Sequence, residues 1–346
     1  MRLKFFLARH WLFLLIVFVS LVFHLVFFFD WHPVWWDSGV YVGMGKFLFS
    51  FGKVGLWEHI RPVFWPFVLG FFWWLSLPVV FLGRVVELLM FLFSLGFVYF
   101  IGRKVYSNAA GLVAAAFLAS SSILFYLSFH LYTEIPVMFF TLLAYFLFLR
   151  ENFFWAGLFA GIAFLTKFPA GMFLVILFFF LLLKKGWRGS FGFVAGSALV
   201  LFPFFVSNLV FYGNVFGGLF AAQAAIRKVL GCNVLRHHEW YYYFFLVFFY
   251  ENKFLLASVL GFFKRGKSYL LILFSALLPL LYFMQLSCRD YRYLVVFLPF
   301  VALLAGAGLD FLLIRLRMRK LKILLLVILI IAISFFGYKN ALNFYG

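Results

Sequence analysis

The chain has 346 residues, of which 67% are apolar and 25% aromatic, and its formal net charge is +19. A water-soluble domain is about 45–50% apolar, so the composition excludes a soluble globular fold. The bases lie in small groups between apolar runs, a pattern that argues against nucleic-acid binding.

Apolar runs of roughly 20 residues recur from end to end, each long enough to cross a hydrocarbon core of about 30 Å as a helix. A barrel would show alternating segments of about ten residues instead. The expected fold class is an all-α polytopic membrane protein. The first run, Trp11 to Phe29, is too long for a typical signal-peptide core and is followed by no small-residue cleavage site, so it is expected to be a retained span.

Bases gather at Arg2, Lys4 and Arg9; at Arg103 and Lys104; at Lys184, Lys185 and Arg188; at Lys264, Arg265 and Lys267; and from Arg315 to Lys322. Short loops rich in Lys and Arg stay in the cytoplasm. Placing every group inside puts the first span at 11–29 and an outer segment at 30–83. Spans at 84–102, 109–128, 135–149, 153–166, 169–183 and 191–211 follow. After an outer segment at 212–240, one span runs to Lys264, and the last three lie at 269–286, 293–313 and 321–337. The path has about eleven crossings, with the N-terminus inside and the C-terminus outside. Residues 62–82 are apolar enough to cross, but Pro62, Pro66 and Pro78 disfavour a helix interior, and a crossing there would invert every later basic group. They are expected to form an interfacial helix. No stretch reads as a separate soluble domain.

Only ten residues are acidic, and charges inside a membrane are usually retained for a purpose. Glu151 and Asp310 fall beside inner bases, as local partners. Asp30, Asp37, Glu58, Arg61, Glu87, Glu134, Lys167, Arg236, Glu239, Arg289, Asp290 and Arg292 fall on the outer side. For Asp30, Glu58, Glu87 and Glu239 a place among the headgroups is expected. Four stretches stand out: WWDSGVY with Asp37 and Tyr41, SFHLYTEIP with Glu134, FLTKFPAG with Lys167, and CRDYRYLVVFLP with Arg289 and Arg292. Each has a plainer reading: Asp37 as a helix N-cap, Glu134 as a helix start, Lys167 snorkelling, and Asp290 pairing within its own loop.

Together, two carboxylates among several bases at a lipid surface suit a lipid-linked phosphate. Arg and Lys hold the phosphate, and a carboxylate takes a proton from an attacking hydroxyl. The sequence holds no P-loop, dinucleotide fingerprint or H-E-x-x-H. His237, His238 and Glu239 make a poor metal set, because adjacent histidines on a helix do not face one ion. Cys232 and Cys288 both fall on outer segments, where a disulfide is allowed; free thiols are the default expectation.

The order of these stretches resembles the GT-C class of membrane glycosyltransferases, in the branch of the dolichyl-phosphate-mannose protein mannosyltransferases and the lipid A aminoarabinose transferases. The likeness rests on WWDSGVYVGMGKFLFSFG, RPVFWPFVLGFF, LYTEIPVMFFTLLAYFLFLR, GLFAGIAFLTKFPAGMFLVI and RDYRYLVVFLPFVALLAGAGL. It covers about residues 30–190 well, 285–310 less well, and 212–262 not at all. The resemblance implies a GT-C-type bundle with a catalytic module in residues 1–212 and a variable transmembrane region in 213–346. It implies Asp37 as the catalytic residue, in the role of general base, and Glu134 as the acid of the second outer loop. Arg61 and Lys167 would lie near the donor phosphate. Beside what the resemblance implies, Tyr41, Arg289 and Arg292 are further candidate substrate-binding residues from the outer stretches themselves. Ser38 departs from the pattern, since many relatives carry a second acid there. No metal or other cofactor is expected.

The function so implied is transfer of a sugar from a polyprenyl-phosphate carrier to a hydroxyl on a protein, lipid or glycan, at the outer face of the cell membrane and with inversion. Membrane lipids are the only other expected partners. The competing reading is a lipid or solute transporter whose outer charges line a pathway, which predicts ionisable residues at mid-span and internal hydropathy symmetry. A scaffold with a decayed site is a third.

Overall fold

In a bilayer every backbone N–H and C=O must find a partner within the protein, and the apolar runs satisfy this as helices. The computed structural model describes all residues except 1, 31–33, 229–236, 265–267, 287, 316–317 and 346. Arg236, Cys232, Arg265 and Lys267 lie outside the described residues. Among the described residues every regular element is helical.

The first helix, α1 (Arg2–Phe28), leads into a segment carrying two short helices, α2 (Trp36–Phe49) and α3 (Phe64–Trp74). These two cross in close contact: a Cβ on Gly70 would lie 2.4 Å from the Gly45 carbonyl oxygen. No larger residue fits at that crossing, which fixes α2 against α3. With 11 residues, α3 is about 16 Å long, about half of a hydrocarbon core. It cannot cross as a helix, in keeping with the interfacial reading of 62–82.

Helix α4 (Val79–Val105) follows, then α5 (Asn108–Ala119), α6 (Ser122–Leu127), α7 (Glu134–Leu149) and α8 (Phe153–Thr166). A 3₁₀ turn at Phe168–Ala170 leads into α9 (Gly171–Tyr212). Gly186, with φ 66° and ψ −173°, breaks α9 into two helices in a conformation that essentially only glycine adopts. Helix α10 (Gly217–Lys228) comes next. Two short helices, α11 (Tyr242–Phe245) and α12 (Ser258–Gly261), flank π and 3₁₀ turns, and the chain bends there by 119°. The bend falls at Asn252, whose amide accepts from Phe254 N–H and donates to the Ile333 carbonyl. Helices α13 (Tyr269–Met284), α14 (Leu294–Ile314) and α15 (Arg319–Tyr345) complete the chain.

Helix α14 is the axis of the bundle. Its sequence is apolar all round, LVVFLPFVALLAGAGLDFLLI, as a helix surrounded by others requires. It packs on α4, α5, α7, α12, α13 and α15. Five helices among the described residues are long and apolar enough to cross a membrane, or six with the bent pair. That is fewer than the eleven crossings expected, because α7, α8 and α13 have 16, 14 and 16 residues and α5 stops at Ser120. The apolar, all-helical architecture is that of an integral multi-pass membrane protein.

The bundle has two chemically different ends. At one, Lys104 donates to the Leu149 carbonyl, Glu151 faces Lys184 and Lys185, and Asp310 meets Lys264 and Ser107. Glu151 and Asp310 thus have the local basic partners expected. At the other end the starts of α2, α7 and α14 meet the end of α8.

Candidate active site

Asp37 lies in the first turn of α2, where a helix N-terminus favours negative charge, but it is not the cap. That position is Trp35, in extended conformation and without a side-chain cap. The Asp37 carboxylate instead holds two guanidinium groups. Arg61 Nη2 donates to Oδ1 at 2.8 Å and Arg292 Nη1 to Oδ2 at 2.6 Å.

Each arginine is itself oriented. Glu58 accepts from Arg61 Nε at 2.6 Å, and the guanidinium lies over the Tyr41 ring. Glu58 is therefore an ion-pair partner and not a solitary headgroup acid. Asp290 accepts from Arg292 Nη2 at 2.9 Å and caps the turn by accepting from the Arg292 backbone N–H, while the Arg292 guanidinium lies over Tyr132. The plain intraloop pairing expected of Asp290 and the contact with Asp37 thus coexist on one arginine.

Glu134 opens α7 and is 2% exposed; Lys167, at the end of α8, donates to its Oε1 at 2.6 Å. The Lys167 ammonium also faces the Tyr293 ring at 5.5 Å. This lysine is turned inward to a buried acid and does not snorkel.

Asp37, Tyr41, Arg61, Glu134, Lys167 and Arg292 line one cavity of about 880 Å³. Five separate stretches of sequence supply them. Arg289 is not among its lining residues, which corrects the expectation from sequence. Its guanidinium donates to the carbonyls of His238 and Met284, so it ties the 238 region to the end of α13. Glu87, expected at the headgroups, is fully buried and accepts from Leu131 N–H at 3.0 Å. Two more charged residues escaped sequence reasoning. Arg84 donates to the Phe129 carbonyl, and Glu251 accepts from the N–H groups of Ser122 and Ile123 at the start of α6. An acid or base in an apolar run was the available signal for both. Helix α10, in the segment matched to nothing by sequence, covers the cavity with Leu219, Ala222, Gln223 and Ala225.

The electrostatics favour an anion. Three cations and two carboxylates line the cavity, and both Asp37 oxygens already carry guanidinium partners. Three bases around two carboxylates make a poor cation site, because the bases would repel a metal ion. Burial alone would raise the Asp37 pKa, but the charges of Arg292 and then Arg61 outweigh it and hold the group below its ordinary value. Burial raises the Tyr41 pKa, so this residue stays a phenol able to donate. His238 stacks on Tyr242 at 3.9 Å. Among the described residues no group of three or more His, Cys, Asp or Glu side chains converges. Cys288, on the cavity wall, is in a disulfide, against the expectation of free thiols.

Residues 61–211 match the family model of the dolichyl-phosphate-mannose-protein mannosyltransferases. No curated protein sequence matches the chain. Among solved structures, ArnT from Cupriavidus metallidurans in the apo state is similar with TM-score 0.67 and 17% identity, over 90% of this chain and 61% of that one. The same protein bound to undecaprenyl phosphate gives TM-score 0.60 and 18% identity, over 91% and 62%. The oligosaccharyltransferase AglB of Archaeoglobus fulgidus, in complex with an inhibitory peptide and a dolichol-phosphate, gives 0.67 and 14%, over 97% and 56%. The chain thus spans about three-fifths or less of the length of these structures. The likeness bears out the GT-C fold expected from sequence.

Proposed function

We propose that the chain transfers a sugar from a polyprenyl-phosphate carrier to a hydroxyl acceptor. The observation that carries this reading is the cavity in which Arg61, Lys167 and Arg292 surround Asp37 and Glu134. The bound undecaprenyl phosphate and dolichol-phosphate of the similar structures support a lipid phosphate as the group those cations take.

In this reading the acceptor oxygen attacks the anomeric carbon and the bond from that carbon to the phosphate oxygen breaks. Asp37 takes the acceptor's proton, and the lipid phosphate leaves with its electron pair, its charge stabilised by Arg61, Arg292 and Lys167. Inversion follows from such a displacement. An aspartate doubly paired with guanidinium groups is a weak base, since a base works best with a pKa near the working pH. Phosphate arriving in the cavity competes for the same two arginines, loosens their hold on Asp37 and makes it more basic when the donor is bound.

The disulfide at Cys288 supports an oxidising compartment, and so the outer face, for the cavity. The catalytic module is assigned to residues 1–212 with Arg292 contributed from the C-terminal region, which makes 213–346 a participant in the site. The test is release of free polyprenyl phosphate and formation of glycosylated acceptor, by purified protein given dolichyl- or undecaprenyl-phosphate sugars. Flux of a lipid across vesicles without such release would support the transporter reading instead.

A further inference from the structure

The two acids of the cavity stand on different elements, Asp37 on α2 and Glu134 on α7. Between them in space runs the short segment 129–131 ahead of α7. Three successive carbonyls there are each taken by a side chain from elsewhere. Arg84 Nε donates to the Phe129 carbonyl at 3.0 Å, Ser38 Oγ to the His130 carbonyl, and Trp65 Nε1 to the Leu131 carbonyl at 3.0 Å. From the opposite direction Glu87 accepts from Leu131 N–H at 3.0 Å. Leu131 has φ 56°, a left-handed conformation that is unusual for a leucine and persists only where its surroundings hold it. Ser38, Trp65 and Glu87 are all fully buried, so water does not replace the bonds these three make.

We propose that Ser38, Trp65, Arg84 and Glu87 form a clamp that sets the separation of Asp37 and Glu134, with Ser38 as the positioning residue that couples them. Ser38 is the chain neighbour of Asp37, and the carbonyl it holds lies four residues before Glu134. The geometry also says why this position carries a hydroxyl. The partner is a carbonyl oxygen, so the side chain must donate, and an ionised carboxylate only accepts. An acid at position 38 would face the His130 carbonyl with no proton to give. Glu87 has the reverse requirement, since its partner is an N–H. Glutamine keeps that acceptor; leucine removes it.

The inference rests on the transferase reading for its kinetic consequence, but its geometric content is independent of it. Hydrogen exchange of the 128–133 segment and steady-state transfer, both on the full chain, test the two separately. Ser38→Ala is expected to speed exchange at 129–132 by about tenfold or more while α14 stays protected. The same variant is expected to lower kcat by about 10- to 100-fold, the scale of a misplacement near 1 Å, with donor KM changed by less than about threefold. Glu87→Leu should speed exchange in the same peptide, and Glu87→Gln should restore it. Unchanged exchange in Ser38→Ala overturns the clamp. So does faster exchange with unaltered kcat, which makes these bonds merely structural, or a rise in donor KM in place of a fall in kcat. If the wild-type chain releases no polyprenyl phosphate at all, the transferase reading falls, and exchange alone then decides for or against the clamp.

Discussion

Two acid–base pairs, Glu151 with its lysines at one end of this bundle and Glu134 with Lys167 at the other, are built differently. Glu151 meets Lys185 at 3.3 Å and Lys184 at 3.6 Å, with side chains 53%, 39% and 61% exposed. Glu134 and Lys167 meet at 2.6 Å, with side chains 2% and 13% exposed. Charge types are the same; surroundings are not. Solvated pairs contribute little and are held loosely, whereas a buried pair cannot lose one partner without stranding the other. The Glu151 pair therefore neutralises charge in water, although the Asp310–Lys264 pair at the same end is buried, whereas the Glu134 pair fixes two charges on the cavity wall.

The comparison is broken most directly at Asp37. Asp37→Asn keeps size and removes the basic oxygen, so transfer should fall by at least about a hundredfold, within the usual range for loss of a general base, while donor binding stays within a few-fold. Kinetics on the folded variant check this, and full activity would leave Asp37 only as an anchor for two arginines. Next comes Lys167→Ala. It leaves Glu134 buried without its cation, and breaking a buried pair in this way costs about 3–5 kcal/mol. Thermal unfolding in detergent should show the loss, and adding Glu134→Gln should recover part of it. If Lys167→Ala melts no earlier than Lys184→Ala, the contrast in burial has no energetic meaning.

The difference between the ends was half legible in the sequence. Basic groups between apolar runs marked one end, and the partners of Glu151 and Asp310 followed from their spacing. Six of the seven site candidates that motif and resemblance singled out line the cavity, and five of those six are charged, because an acid or base in an apolar context is conspicuous. Pairing across the fold was not legible. Arg289 and Arg292 differ by three positions in one polar turn, yet only Arg292 reaches Asp37, because the Asp290 cap turns the chain there. Glu87 looked like a headgroup acid because its partner is a backbone N–H 44 residues away, which no pattern in the sequence records. The break at Ser120–Ser121 was hidden for a related reason: the N–H groups it frees are met by Glu251 from a distant turn.

A smaller effect sharpens the comparison through pH. Arg292 and Arg61 hold the Asp37 pKa below its ordinary value against the opposing effect of burial, which is about 3.9 when unperturbed. A depressed carboxylate contributes stability above its unfolded pKa and loses it as pH falls through the folded one. The acid limb of kcat/KM, which reports the free enzyme, should therefore stay level from neutrality into mild acid and decline only below the usual carboxylate range. Arg292→Ala removes the stronger of the two lowering charges and leaves burial less opposed. The acid limb of kcat/KM should then move to higher pH, and a limb that stays put would separate Asp37 from the titration.

The smallest expected effect lies at the other end, and it is the control that gives the rest their meaning. Glu151 also has a lowered pKa, from its hydrogen bond and charge contact with Lys185 and then the charge of Lys184, so a shift in titration does not by itself mark a site. Its carboxylate is open to solvent, water replaces either lysine at little cost, and salt screens what attraction remains. Glu151→Gln should accordingly leave transfer within about twofold and melting nearly unchanged, with any difference vanishing at high salt. The substitution should not alter orientation in the membrane, since orientation follows Lys and Arg and owes little to acids. A large loss of activity in Glu151→Gln, persistent at high salt, would mean that this pair is coupled to the cavity through α7 or α8, and the two ends could no longer be treated as separate devices.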